Sequence, residues 1–290
     1  MQEGTISGAG NVPIYFRRYG SGSRAVIVPN AAWLEPDLKS LAKDRTVIFY
    51  DPRGRGKSGA VQDKTQITLE AEIEDLDTVV RHFELRQVVL FGWSYQGAVV
   101  ANYASRHAGS VLRLILSGPL APRRSPYADR ANVTLQSRLD MPAITALMKS
   151  PPPDPVENCR ALNSILLRAY FFDLAAYERS RASPCDLENE RPQNLTQYTR
   201  VFMSSLGDWD WRPDAARYGG PVLILHGDAD WNPVEGSREW QASFPNARML
   251  IVPSAGHLPW LEQGNMFFKS VNEFIGGAEL DNWSWPAMNP

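Results

Sequence analysis

Cysteine is scarce in this chain: Cys159 and Cys185 are the two among 290 residues. They form no Cys-x-x-Cys pattern, which argues against a metal site built on them. A reducing compartment predicts two free thiols. Both fall in the same middle segment, so a disulfide between them stays open. Histidine is nearly as rare, with His82, His107, His226 and His257 the four candidates for an imidazole base. Neither sign of charge is in excess, since 30 Lys and Arg against 32 Asp and Glu leave a net charge of −2. Nothing therefore draws the chain strongly to nucleic acid or to an anionic membrane. Arg123–Arg124, the nearest thing to a basic patch, reads as a solvated pair. No apolar run approaches the roughly 20 residues of a membrane span. Met1 to Asn11 is polar and Gly-rich, without the basic start and apolar run of a secretory signal. A cytoplasmic protein with neither nucleic-acid nor membrane partners is the expectation.

What is present is ordinary globular composition, 43% hydrophobic and 21% charged. The length suits one large core with an inserted subdomain. Short apolar runs predict strands over Ile14–Arg18, Ala25–Pro29, Thr46–Tyr50, Gln87–Phe91 and Leu112–Ser117. Helical periodicity covers Ile67–Phe83, with Ile73, Leu76, Val79, Val80 and Phe83 on one face, and Tyr95–His107 reads as a second helix. Such alternation predicts an α/β fold, a mostly parallel central sheet with helices on both faces. It lapses from about Leu120 to Asp208, where Pro-broken helical segments are predicted at Met141–Lys149, Val156–Phe172 and Asn194–Leu206. Strands at Pro221–His226 and Arg248–Val252 and helices at Val234–Phe244 and Gln263–Ile275 then resume it. The expected organisation is a core over 1–119 and 209–280, an inserted helical lid over 120–208, and a tail over 281–290.

The strongest local signal is Leu90-Phe91-Gly92-Trp93-Ser94-Tyr95-Gln96-Gly97-Ala98, a buried strand running through Gly-x-Ser into a helix. A serine on so sharp a turn displays its hydroxyl at the carboxyl end of the sheet. It also sits at a helix N-terminus, where free N–H groups favour developing negative charge. The pattern wants glycine two residues after the serine, and this chain has Gln96 there with Gly97 one further on. A wider or differently packed elbow is expected.

Downstream, Pro221–His226 ends in a loop carrying Asp228 and Asp230, and Arg248–Val252 ends in Pro253-Ser254-Ala255-Gly256-His257. Both loops leave the sheet edge where open α/β folds place their sites. A serine hydroxyl needs an imidazole to take its proton during attack, and a buried carboxylate to fix the imidazole tautomer. Ser94 as nucleophile, His257 as base and Asp230 as orienting carboxylate fill these roles. Asp228 is the rival acid, lying less deep in the loop, and His226, closing a strand, reads as structural.

On these residues the chain resembles the α/β-hydrolase superfamily and, more narrowly, its prolyl-iminopeptidase-like group. His226-Gly227-x-x-Asp230 is similar to the family's acid loop and Gly256-His257 to its base loop. Asp51-Pro52-Arg53-Gly54-Arg55-Gly56-Lys57-Ser58 is similar to the group's Asp-x-Arg-Gly-x-Gly-x-Ser loop. Its Gly56-Lys57-Ser58 invites a phosphate-loop reading, but Asp51 stands where that loop requires glycine. The resemblance implies the α/β-hydrolase fold and backbone oxyanion donors at Ala31 and Tyr95. One departure is that Pro29-Asn30-Ala31 replaces the family's His-Gly, and the Asn30 amide becomes a candidate oxyanion donor.

Trp33, Trp93, Tyr95, Trp231 and Trp260 cluster near the site in sequence and suggest an apolar pocket wall. The group's relatives hold a substrate amine with lid carboxylates, which implies that role for Glu188 and Glu190. The expectation is a cofactor-free and metal-free serine hydrolase that cleaves a small ester or amide through an acyl-enzyme. Aminopeptidase, lactonase and carbon–carbon bond hydrolase remain open within that expectation. Outside it stands a ligand-binding relative without turnover.

Overall fold

Runs dense in Val, Ile and Phe form the strands of the computed structural model, which describes residues 1–180, 185 and 192–277. Glu188, Glu190 and the 281–290 tail lie outside the described residues. The strands are β1 (Gln2–Ser7), β2 (Pro13–Tyr19), β3 (Ala25–Pro29), β4 (Thr46–Tyr50), β5 (Val88–Trp93), β6 (Val111–Ser117), β7 (Val222–Gly227) and β8 (Ala247–Val252). They make one sheet in the order β1-β2-β4-β3-β5-β6-β7-β8. β1 and β2 pair antiparallel, β2 joins β4 antiparallel, and β3 to β8 run parallel.

Helices cover both faces, as unbroken apolar strands require. In chain order they are α1 (Ala31–Leu38), α2 (Leu69–His82), α3 (Tyr95–Arg106), α4 (Tyr127–Arg138), α5 (Met141–Lys149), α6 (Pro155–Arg168) and α7 (Leu174–Ser180). There follow α8 (Pro192–Ser205), α9 (Arg212–Ala215), α10 (Val234–Ser243), α11 (Pro259–Glu262) and α12 (Gly264–Gly276). The strand period of two divides each strand between two cores. Ile27, Leu90 and Ile224 meet α2, α3 and α10 through Leu76, Val99 and Trp240. Val26, Val28, Phe91 and Leu225 meet α1 and α12 through Leu34, Leu38, Phe267 and Phe274.

Local chemistry sets the helix starts. The Thr68 hydroxyl accepts the Ala71 N–H at the head of α2, and Asp154 accepts the N–H groups of Val156 and Glu157 ahead of Pro155 in α6. Helices α4 to α8 all fall between β6 and β7 in the chain. No helix among the described residues is long and apolar enough to cross a membrane.

Three features depart from the sequence reading. The polar Met1–Asn11 stretch contains strand β1, which buries only Ile6, because an edge hairpin with a wet face needs no apolar run. The stretch after β3 is helical from Ala31, although Pro36 lies inside it. Cys159 and Cys185 are not free thiols: they form a disulfide, with Cα atoms 5.8 Å apart. Cysteine usage therefore gives no argument for a reducing compartment.

Candidate active site

The carboxyl ends of the parallel strands lead Ser94, Asp230 and His257, and the heads of α1 and α3, to one edge of the sheet. Ile27 pairs with Leu90, so the exits of β3 and β5 are neighbours, and α1 and α3 begin side by side at Ala31 and Tyr95. The first N–H groups of a helix have no partner within it, so both backbones present donors at this edge.

Ser94 links β5 to α3 at φ 57, ψ −129, a conformation that side chains rarely hold. Its N–H donates to Ser117 O at 3.0 Å, and its carbonyl accepts from Gly97 and Leu120. The tight packing the elbow needs falls on Gly92 and Gly97. A Cβ on Gly92 would lie 2.4 Å from Val100 Cγ2, and one on Gly97 would lie 2.8 Å from Pro119 Cβ. Gln96 is directed elsewhere: its amide donates to Glu72 on α2 at 2.7 Å. The elbow forms without a second glycine at position 96.

His257 follows β8, and its ring lies 2.8 and 3.0 Å from the two Asp230 carboxylate oxygens through Nδ1. Burial raises the Asp230 pKa, but the charge and hydrogen bond of His257 outweigh it and hold the group below its ordinary value. Asp230 is therefore an acceptor, and Nδ1 carries the proton. That leaves Nε2 as the basic nitrogen, buried and without a hydrogen-bond partner. No hydrogen bond joins it to Ser94.

Asp230 also accepts the Asn232 N–H at 2.9 Å. Asp228, the rival, is exposed and accepts the Ala255 N–H at 3.3 Å. His226 is buried between Ser237 Oγ and the carbonyl of Asn232, and burial lowers its pKa. Its place is structural. Gly118, leaving β6 at φ +49, passes under the pair: a Cβ there would meet Asp230 Oδ2 at 3.0 Å and His257 Nδ1 at 3.2 Å.

Three aromatic rings surround the imidazole: Trp93 at 5.1 Å, Tyr170 at 5.2 Å and Trp231 at 4.9 Å between centroids. Trp93 also donates its indole N–H to the His257 carbonyl at 2.9 Å. Beside them opens a cavity of about 320 Å³ lined by Asn30, Trp33, Arg55, Trp93, Ser94, Tyr95, Leu120, Tyr170, Met203 and Trp231, among others. Trp260 stands behind Trp93 and does not line it. Asn30, the residue before α1, is 3% exposed at φ 71, ψ 53, and its Oδ1 has no partner.

The Asp51–Ser58 loop acts as a brace. Asp51 accepts the N–H groups of Ala32 at 2.8 Å and Lys57 at 2.9 Å, tying the head of α1 to the loop. A Cβ on Gly56 would lie 2.2 Å from Asp51. The Ser58 hydroxyl donates to Asp51 O, and Arg53 is buried on both oxygens of Asp75. Sequence reading missed Tyr170, Gly118 and Asn232. Gly118 and Asn232 follow strand ends at the same edge and so carried a signal, whereas Tyr170 had none.

Sheet order, crossovers and elbow together define the α/β hydrolase fold. The chain belongs to the α/β hydrolase fold family, which it matches over residues 31–263. Proline iminopeptidase PfmaB of Pestalotiopsis fici is 24% identical over 79% of this chain and 81% of its own length. A non-heme haloperoxidase of Rhodococcus erythropolis is 25% identical over 87% of this chain and 92% of its own. An esterase from Rhodococcus sp. shares the fold at a TM-score of 0.71 and 23% identity, over 96% of this chain and 99% of that one. The prolyl-iminopeptidase-like resemblance of the motifs thus has counterparts among relatives matched over about four fifths of the chain, and the chain is a hydrolase of this fold.

Proposed function

We propose that this protein is a serine hydrolase that cleaves a small ester or amide through an acyl-enzyme, with Ser94 as nucleophile, His257 as general base and Asp230 as orienting carboxylate. The observation that carries the reading is the Asp230–His257 pair: Nδ1 faces a buried carboxylate, Nε2 has no partner, and the three rings packed on the imidazole, Trp93, Tyr170 and Trp231, line the same cavity as Ser94.

In the first step Nε2 takes the Ser94 proton as Oγ attacks the substrate carbonyl. The oxyanion draws on the N–H groups of Ala31 and Tyr95, at the heads of α1 and α3. Collapse of the tetrahedral species expels the alcohol or amine, which receives its proton from His257. Water activated by the same imidazole then releases the acid and restores Ser94. Helices α4 to α8 act as the lid, and Trp33, Trp93 and Trp231 form the apolar wall. Asn30 is a polar contact for the substrate carbonyl. Simple esters and amino-acid amides are both candidate substrates, since Glu188 and Glu190, the carboxylates that would hold a free ammonium, lie outside the described residues.

A second reading, a ligand-binding relative without turnover, draws on the hydrogen bond that Ser94 and His257 do not make. Such contacts often tighten only when substrate binds, and one experiment separates the readings. A fluorophosphonate probe should label the wild type and not Ser94→Ala, with p-nitrophenyl esters and amino-acid anilides then ranking substrates. A folded wild type that resists even the smallest probe would favour the binding protein.

A further inference from the structure

Glu262, at the end of the short helix α11, is tied to two parts of the chain at once. One carboxylate oxygen accepts the N–H groups of Phe172 and Asp173, each at 2.7 Å, in the turn between α6 and α7. The other accepts the N–H of Gly256 at 2.6 Å, the residue before His257. The same turn holds the histidine loop directly, since the His257 N–H donates to the Tyr170 carbonyl at 2.7 Å. A Cβ on Gly256 would lie 2.2 Å from that carbonyl, so the two backbones are in contact. Tyr170 then packs edge-on against the imidazole.

Four backbone N–H groups thus fasten the 170–173 turn to the 256–257 loop, and three of them end on one carboxylate. An ionised carboxylate is the side chain that fits, because both its oxygens accept and neither opposes a donor. We infer that Glu262 is a positioning residue for the reaction, holding the lid turn and the histidine loop as one unit so that His257 Nε2 is aimed at Ser94 while the turn is seated. The inference rests on the serine-hydrolase reading. Displacing a catalytic group by about 1 Å costs up to about 100-fold in rate, and without Glu262 only the His257 bond to the Tyr170 carbonyl is left of the four that fasten turn to loop.

The test compares wild type, Glu262→Gln and Glu262→Ala for kcat and KM on a p-nitrophenyl ester, for thermal midpoint, and for the low-field proton resonance of the His257 Nδ1–H bond to Asp230. The expected result is a kcat at least about tenfold lower in Glu262→Ala, a smaller change in KM, and a broadened or lost resonance. Glu262→Gln keeps one acceptor and sets an amide N–H against the other donor, so its kcat falls between the two. It is nearly the same size as glutamate and carries the comparison if the alanine variant does not fold. A folded variant with wild-type kcat and an intact resonance overturns the inference. So does a lower thermal midpoint with kcat and resonance unmoved, which is what a merely structural contact gives. The resonance needs no turnover, so a failed hydrolase reading, with the wild type inert and the resonance still responsive, is distinguished from a failed positioning role.

Discussion

The Gln96 amide donates to the Glu72 carboxylate across 2.7 Å in the interior between α2 and α3. Tyr198 of α8 donates its hydroxyl to the other oxygen of the same carboxylate. The residue that departs from the elbow pattern therefore leaves the turn undisturbed and joins a buried polar cluster linking the elbow helix to α8. Close approach of α3 to the chain beyond β6 is met by Gly97.

Glu72 makes stability depend on pH. Burial pushes its carboxyl up from 4.5 to about 7, against the opposing hydrogen bonds of Tyr198 and Gln96. The nearby charges of Asp75 and Arg53 act in opposite directions. A folded pKa above the unfolded one means that the fold binds the extra proton, so this group's contribution is present below about pH 4.5 and is lost as pH rises to about 7. Glu72→Gln removes that dependence. The stability of the variant relative to wild type should rise by about 3 kcal/mol between pH 4.5 and 7.5. Denaturant melts at the two pH values check it, and a constant difference would reject it.

Ser94 holds its strained turn at a cost. Ser94→Gly and Ser94→Ala should both be inactive, but glycine accepts φ 57 freely and alanine does not. Urea unfolding should rank the glycine variant above the alanine variant by about 1 kcal/mol. The opposite order would mean that the elbow is not strained.

Asp230→Asn keeps the shape of the acid loop but replaces an acceptor by an amide that can stabilise the wrong imidazole tautomer. The expected loss in kcat is about 10³- to 10⁴-fold with the fold intact. Activity within tenfold of wild type would transfer the orienting role elsewhere, Asp228 being the first candidate to examine.

The Asn30 amide oxygen is a buried acceptor without a partner, which costs stability, and only the Nδ2 hydrogens of the same amide could donate to a substrate carbonyl in the cavity that Asn30 lines. Asn30→Gly keeps the left-handed backbone and deletes the amide. The variant should lose about tenfold or more in kcat/KM while its thermal midpoint holds or rises. An unchanged rate would remove the side chain from the mechanism and leave the Ala31 and Tyr95 N–H groups as the proposed oxyanion donors.

Much of the fold was legible because its signals are local. Apolar runs such as Val88–Phe91 and Val222–Leu225 can only be strands buried on both faces, and Ile73, Leu76, Val79 and Val80 repeat at helical spacing. Ser94, Asp230 and His257, the proposed triad, stand out in the sequence because each follows a strand of the same parallel sheet, which carries all three toward one edge. The edge strand β1 escaped because a wet face weakens its pattern.

By itself the sequence determined the buried strands, most of their covering helices and the chemical types beyond the strand ends, since backbone periodicity follows from residue order. Tertiary structure alone decided where Gln96 turns, that Cys159 meets Cys185, and that Tyr170 and Glu262 close on the histidine loop. Those contacts join segments tens of residues apart, and no local preference encodes them. The contacts of Tyr170 and Glu262 arise only when the helices between β6 and β7 fold back over the sheet edge.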